Sequence, residues 1–220
     1  VNRLSFGVQE FDLNVQKRIN RVQPPELFHK ILTKKVREIY KTFNFDLLIG
    51  LPGQTNESME KTMDKVIEIR PTQLQPALLA YKPWIAKYQI KMVKDGPLPD
   101  FFDRKQLFEI VNKKLLNAGY KRAGFESYVL PNDPIDIARK EKKALYNSLG
   151  LQKGAATNFV SVGSSAKGSL GDEYYSHNCY SLSVYKKLLD EGKLPIFKGM
   201  KLAEDDKIRR HLVNDIRTYF

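Results

Sequence analysis

Phe45-Asp46-Leu47-Leu48-Ile49-Gly50-Leu51-Pro52-Gly53-Gln54-Thr55 is the stretch whose reading decides the fold. Residues 44–50 form an apolar run of strand length that stops at a Gly-Leu-Pro-Gly turn. Thr55 or Asn56 then offers an N-cap to a helix that carries Met59, Met63, Val66 and Ile67 at helical spacing. The same order recurs on either side. Upstream, 1–9 is a β-favouring run, 10–20 connects, and Pro24-Pro25-Glu26 opens a helix with Leu27, Ile31, Leu32, Val36 and Ile39 on one face, running to about Thr42. Downstream, 73–81 is a third apolar run, followed by a long loop with Pro83, Gly96, Pro97 and Pro99. A helix over 103–117 ended by Gly119, a fourth run over 120–129 and a helix near 136–145 complete the series. Such alternation calls for right-handed crossovers and a mostly parallel sheet, so the fold class is α/β.

After Gly150 the texture changes. Gly154-Ala155-Ala156 and Gly163-Ser164-Ser165-Ala166-Lys167-Gly168-Ser169 are small-residue stretches around a possible strand at 159–162. Helices resume over 181–191 and 203–219, the second with Ile208, Leu212 and Ile216 on one face, and no fixed-period repeat is present. The expected division is therefore 1–150 as strand-helix units, 151–202 as a loop-rich segment and 203–220 as the start of a helical domain.

At 220 residues and 42% hydrophobic, the chain can bury the core of one large domain, or of one domain with an appendage. Its apolar runs are strand-sized and none approaches the roughly 20 residues of a membrane span, so a soluble cytoplasmic protein is expected. It begins at Val1, directly in a strand-like run and without the cationic and apolar regions of a secretory signal, which reads as a cut with chain missing upstream. Thirty-seven Lys and Arg against 25 Asp and Glu give +12, which favours an anionic partner: nucleic acid, an acidic membrane surface or a polycarboxylate. Much of that charge is interleaved with acids, as in Lys140-Glu141-Lys142-Lys143, as on solvated helix faces. The single cysteine, Cys179, excludes an intrachain disulfide and a self-contained thiolate metal site; His177 two residues away is a weak companion, and no metal is expected to be held by this chain.

In a parallel sheet or barrel, functional groups gather at the carboxyl ends of the strands, where the loops converge on one rim. Gln9 ends the first strand; its amide suits a nucleoside or an amino-acid moiety, or it is a plain strand-end residue. Asp46 lies between Phe45 and Leu47, where a lone carboxylate costs several kcal/mol, on the order of 2–7, or shifts its pKa. It therefore needs a partner: a ligand ammonium or hydroxyl, Arg21, or another structural cation. Arg21 can grip a carboxylate with two bonds. The third strand ends at Ala80-Tyr81 and the fourth near Glu126. The Gly50-Leu51-Pro52-Gly53 turn is not a phosphate-binding loop, and the glycines near Lys167 match neither the Walker nor the dinucleotide spacing. Trp84 and the many tyrosines read as packing residues.

These strand-end residues fall in a pattern. Val1-Asn2-Arg3-Leu4-Ser5-Phe6-Gly7-Val8-Gln9, then Asn20-Arg21-Val22-Gln23, then the stretch from Phe45 to Thr55, resembles the radical S-adenosylmethionine (SAM) family of oxygen-independent coproporphyrinogen III oxidases in order and spacing. Gly124-Phe125-Glu126-Ser127-Tyr128 with Pro131-Asn132-Asp133 is similar to that family's Gly-Met-Asp-His-Phe and Pro-Asp-Asp segment, and Glu204-Asp205-Asp206-Lys207-Ile208-Arg209-Arg210 to its Asp-Asp-x-Ile-Arg-Arg. The first block is shared with haem chaperones and anaerobic haem-degrading methyltransferases; the last two point to the oxidases. The resemblance implies the later part of a partial (β/α) barrel with a helical C-terminal extension. In the whole enzyme a [4Fe-4S] cluster, held by an upstream three-cysteine motif and fed by an electron donor, reduces SAM to a 5′-deoxyadenosyl radical. That radical leads to decarboxylation of two propionates of a tetrapyrrole substrate, giving protoporphyrinogen IX in anaerobic haem biosynthesis. Gln9, Arg21, Asp46 and Ala80 then contact SAM, Lys167 is a further SAM-side position, and Glu126, Arg209 and Arg210 are substrate-side positions. This chain alone is expected to be inactive, since the cluster ligands are absent from it.

There are departures. The family's Asp-His is Glu126-Ser127, its Gln-Gly-Tyr-Thr-Thr is Leu149-Gly150-Leu151-Gln152-Lys153, and its Gly-x-Gly-x-Ser-Ala-Ile-Ser is Val162-Gly163-Ser164-Ser165-Ala166-Lys167-Gly168, which places Lys167 at an isoleucine position. A second reading of the same fold is a haem-binding or haem-transfer paralogue, with His177 and Cys179 as axial ligands. A third is nucleic-acid binding through the positive charge, which a tetracarboxylate substrate makes unnecessary.

Overall fold

A computed structural model describes residues 3–94, 96–147, 150–154, 158–171 and 173–220. Contacts group the chain into two compact units, Val1–Ile137 and Ala138–Phe220. Leu149, Ala155 and Ala156, singled out in the sequence, lie outside the described residues, as do the first two residues of the expected strand one.

The first unit is built on a five-stranded sheet. Strands β1 (Arg3–Gln9), β2 (Thr42–Ile49) and β3 (Gln73–Leu78) run parallel, and β5 (Tyr128–Val129) and β4 (Lys121–Arg122) extend the sheet antiparallel in the order β1-β2-β3-β5-β4. Between β1 and β2 lie α1 (Leu13–Arg18), α2 (Pro25–Ile31) and α3 (Lys34–Ile39); α4 (Asn56–Ile69) links β2 to β3. A 3-10 helix (Lys87–Val93) and α5 (Phe101–Asn117) precede β4.

The helix expected to run from Pro24 to about Thr42 is broken, because Thr33 turns its hydroxyl to the Val36 amide and starts a new helix. Thr55 caps α4 in a reciprocal pair with Ser58, its Oγ1 accepting from the Ser58 amide at 3.1 Å and its own amide donating to Ser58 Oγ at 2.9 Å. The fourth apolar run is not one parallel strand but a hairpin. Gly124, at φ 89°, permits the tight turn, and Ala123 N donates to Ser127 O at 2.7 Å to close it. Glu126 consequently sits in a hairpin turn and not at the carboxyl end of a parallel strand.

The core lies on one face of this sheet. Leu4, Phe6 and Val8 of β1, and Phe43, Phe45, Leu47 and Ile49 of β2, pack with Phe28, Met59, Met63, Val66, Leu107, Val111 and Leu115 from the helices. At its centre Phe28 meets Phe45, Phe6 and Phe11 at ring separations of 5.0, 5.8 and 5.6 Å.

The second unit begins within α6 (Pro134–Lys140). The helix expected to reach 145 ends at Lys140, where Lys142 takes a left-handed φ of 57° and Lys143 N closes on Ala138 O at 2.7 Å. The chain then forms the hairpin β6 (Ala144–Asn147) and β7 (Gly150–Lys153), and a three-stranded antiparallel sheet in the order β10 (Ile196–Lys201), β9 (Tyr174–Asn178), β8 (Lys167–Leu170). Helices α7 (Leu182–Asp190) and α8 (Glu204–Tyr219) complete it. The possible strand at 159–162 reduces to a single bridge, Phe159 to Ser169, with Val160 and Val162 exposed. Among the described residues no helix is long and apolar enough to cross a membrane.

Phe45 is fully buried amid this aromatic cluster. Phe45→Ala is expected to destabilise the first unit by about 3–5 kcal/mol, read as a lowered urea midpoint at unchanged slope.

Candidate functional site

The second face of the first unit's sheet is polar. Because strand side chains alternate, the residues between the core positions, Ser5 and Gly7 on β1 and Asn44 and Asp46 on β2, point away from the core. They are joined. Asn44 Nδ2 donates to Ser5 Oγ at 2.9 Å and to Asp46 Oδ1 at 2.7 Å, and Ser5 Oγ donates to Asp46 Oδ2 at 3.1 Å. One strand further, Gln73 Nε2 donates to the buried carboxylate of Asp133 at 2.7 Å, as does Ile135 N at 2.9 Å. Burial raises the pKa of Asp133, opposed by those hydrogen bonds and by the Arg3 charge. Burial likewise lowers that of Arg3, opposed by Asp133 and Asp46.

Asp46 thus takes its hydrogen bonds from the neutral donors Ser5 and Asn44 and feels the Arg3 charge, while Arg21 is engaged elsewhere. The Arg21 guanidinium donates through Nη2 to Gly7 O at 2.8 Å and through Nε to Gln23 Oε1 at 2.9 Å, and the side chain is exposed. Gly7 is the backbone partner of Asp46 across the β1–β2 ladder. A Cβ at Gly7 would lie 2.8 Å from Gln9 Nε2 and 3.1 Å from Arg21 Nη2, so the bare glycine lets these two side-chain ends close over the strand where a side chain would make them shift. Gln9 itself has φ 66°, and the register shifts between Gly7 and Gln9, so the strand end is re-aimed by a bulge. The Gln9 and Arg21 side chains therefore lie against one glycine near the carboxyl end of β1, and Asp46, midway along β2, is that glycine's pairing partner. Ala80 is exposed just past β3, where the Gln89 amide braces it, donating to Ala80 O at 3.1 Å and accepting from Lys82 N at 2.6 Å.

Three residues that sequence reasoning passed over hold this rim. The Glu10 carboxylate is fully buried and accepts from Phe11 N at 2.7 Å, Asp12 N at 3.1 Å, Gln54 Nε2 at 2.8 Å and the Thr62 hydroxyl. Gln54 also donates to Leu48 O at 2.8 Å and accepts from Gly50 N at 2.7 Å and Leu51 N at 2.8 Å. The available signal was Glu10 directly after a strand and Gln54 directly after a glycine turn, both polar residues at loop starts.

The remaining candidates lie apart from these in the chain. Glu126 is half-buried in its hairpin turn. Lys167, Arg209 and Arg210 belong to the second unit, where they line one cavity. His177 uses both ring nitrogens, Nε2 with Ser165 O at 3.1 Å and Nδ1 with the Tyr180 hydroxyl at 3.3 Å, and Cys179 is buried.

The polar face fits a zwitterionic nucleoside such as SAM: a guanidinium for a carboxylate, a carboxylate with an amide for an ammonium, hydroxyl or base edge, and a glycine cradle beneath. An iron–sulfur cluster does not fit this chain, which has one cysteine and, among the described residues, no grouping of three or more His, Cys, Asp or Glu placed to hold a metal.

No protein-family model matches the chain. Curated relatives do. The chain is 33% identical over 213 residues to an oxygen-independent coproporphyrinogen III oxidase of Helicobacter pylori, covering 96% of this chain and 46% of that protein. It is 32% identical over 219 residues to the one of Pseudomonas aeruginosa, covering 100% and 47%. The solved coproporphyrinogen III oxidase (HemN) of Escherichia coli, described as a Radical SAM enzyme, superposes with a TM-score of 0.91 at 32% identity over 100% of this chain and 50% of that one. The chain is a homologue of the oxygen-independent coproporphyrinogen III oxidases. It spans about half the length of these oxidases. Its mixed α/β fold matches that of the corresponding half of the E. coli oxidase, and among the described residues the sheets do not close into a barrel.

Gln54→Ala would strand the Glu10 carboxylate and two turn amides together, and is expected to cost about 2–4 kcal/mol in denaturant unfolding. Asp133 gives a pH signature. Its folded pKa is raised, so the native state binds the proton more tightly and the destabilisation grows as pH rises from the ordinary value of 3.8 through the raised value. The stability of the natural protein relative to Asp133→Asn is therefore expected to fall between pH 3 and pH 7, measured as the difference in unfolding free energy at each pH.

Proposed function

We propose that this chain is the later part of a radical SAM enzyme that oxidatively decarboxylates two propionates of coproporphyrinogen III, yielding protoporphyrinogen IX, and that it forms one wall of the SAM site. The observation that carries the reading is the closure of Gln9 and Arg21 over Gly7, whose backbone pairs with Asp46, on the polar face of the sheet; the similarity to oxygen-independent coproporphyrinogen III oxidases supports it. SAM, when bound and reduced at a cluster whose ligands lie outside this chain, supplies the hydrogen-abstracting radical. Arg21 grips the methionyl carboxylate with its fork. Asp46 takes the ammonium or a ribose hydroxyl while Ser5 and Asn44 hold its orientation. Gln9 reads a hydroxyl or the base edge, and the small Ala80 lets the backbone approach the adenine. The other partners are the tetrapyrrole and an electron donor to the cluster, and the setting is the cytoplasm.

The haem-carrier alternative gains no support, since His177 has both nitrogens in hydrogen bonds and Cys179 is buried. Anaerobic reconstitution of the full protein with iron and sulfide, followed by SAM and coproporphyrinogen III, is expected to yield 5′-deoxyadenosine together with protoporphyrinogen IX. Formation of 5′-deoxyadenosine with no loss of propionate would remove the substrate assignment. In the same protein Arg21→Ala and Asp46→Asn are each expected to weaken SAM binding by about tenfold or more in equilibrium dialysis. Unchanged SAM affinity in both would remove the site assignment.

A further inference from the structure

The second unit contains a cavity of about 710 Å³, within the size range of small-molecule sites. Four cationic side chains, Lys167, Lys198, Arg209 and Arg210, line it with one carboxylate, Asp206, which accepts from the Ala203 amide at 3.0 Å, and Arg209 is paired with Asp205 at 2.6 Å. Two of the cations are placed by strand register. Lys167 on β8 and Lys198 on β10 both lie directly opposite His177 on the central strand β9, so Lys167, His177 and Lys198 form one row on one face of the sheet. The next row on that face is Ser169, Tyr175 and Met200.

The row thus sets two positive charges on one face, on either side of His177 and two strand spacings apart, without bringing the two cations into contact. Among the described residues no carboxylate is within ion-pair distance of Lys167 or Lys198. Tyr175 and Met200 of the second row give an apolar surface, with the Arg210 guanidinium 5.4 Å over the Tyr175 ring and Leu145, Leu202 and Val213 also in the lining, while Ser169, Asn147 and Asn214 are among its neutral polar members. The two lysine strands are about 10 Å apart by twice the ordinary strand spacing, a span that two carboxylate arms of one macrocycle can bridge. We infer that this cavity is a carboxylate-anchoring subsite, in which Lys167 and Lys198 across His177, with Arg210 above Tyr175, hold carboxylate arms of a flat apolar polycarboxylate. The identity of that ligand as a tetrapyrrole rests on the function proposed above; the subsite itself rests on the register and the cavity.

The test uses the full protein and the stable fluorescent tetracarboxylate coproporphyrin III, with its tetramethyl ester as the uncharged comparison. Lys167→Gln and Lys198→Gln are each expected to weaken coproporphyrin III binding about tenfold, and the double variant more, with the ester bound equally by all. Lys201→Gln, on the opposite face of β10 and outside the cavity, is expected to bind like the natural protein, and far-UV circular dichroism of each variant checks folding. Equal coproporphyrin III affinity in the folded double variant and the natural protein would overturn the subsite, as would displacement of the porphyrin by an arbitrary RNA oligonucleotide without saturable binding. The two readings fail separately. If coproporphyrinogen III is not turned over but the lysine variants still lose tetracarboxylate binding, the substrate falls and the subsite stands; turnover unchanged in the double variant does the reverse.

Discussion

A carboxylate with no exposure to water, Glu10, sits where the first parallel strand gives way to its loop, and the rest of the rim is arranged around it. Removing such a group from water costs several kcal/mol or more unless its oxygens are met by donors. Those donors come from three places: the amides of Phe11 and Asp12, the amide side chain of Gln54 and the hydroxyl of Thr62. The end of β1, the turn after β2 and the middle of α4 are therefore fixed relative to one another by one group. Gln54 transmits the constraint further, because its other end holds the Gly50 and Leu51 amides. With the turn so closed, Arg104 lies across Gly50, at φ 93°, within 3.1 Å of where a Cβ would stand, so a side chain there would push the arginine off the rim.

That constraint matters because of what the sheet does with its two faces. Parallel strands are ordinarily buried on both faces and read as continuous apolar runs. Here one face carries the aromatic core and the other carries Ser5, Asn44 and Asp46 in a hydrogen-bonded line, with Gln73 and Asp133 beyond. A polar second face is worth keeping only if something polar occupies it. The choice of partners is consistent with that use. Asp46 and Arg21 are not hydrogen-bonded to each other but to Ser5 and Asn44 on one side and to Gly7 O and Gln23 on the other, with the Arg3 charge also acting on Asp46.

Much of the first unit was legible in the sequence, and the rest was hidden for physical reasons. The strand-turn-helix unit from Phe45 onward could be read because apolar periodicity, a glycine turn and a capping threonine agreed. Gln9, Arg21 and Asp46 could be named from strand-end position and a family resemblance, but not their mutual arrangement, which depends on Gly7 and on a bulge that no local pattern announces. The inner polar face was in fact written in period two, as Arg3-x-Ser5-x-Gly7 and Asn44-x-Asp46, a signal that goes unread when a parallel strand is assumed apolar throughout. The second unit was the least legible. Its strands are short, rich in Tyr, Lys and Gly, and stabilised by pairing between distant segments, so neither alternation nor propensity marks them.

The positive balance of the chain also resolves differently once contacts are known. Many lysines and arginines stand on exposed helix faces with an acid one turn away, as Lys61 does with Glu57, Lys207 with Glu204 and Arg209 with Asp205. Such pairs contribute little to stability and serve solubility. Charge that informs about partners is charge held in a concave place without an acid to answer it, and by that standard the overall +12 is a poor guide while two strand positions are a good one. Lys167 and Lys198 are brought to the same face by pairing with one residue of β9. Charge gathered at a cavity wall, while cations on the helix faces are neutralised residue by residue, is charge in a position to meet an anion, which is the use inferred for it above.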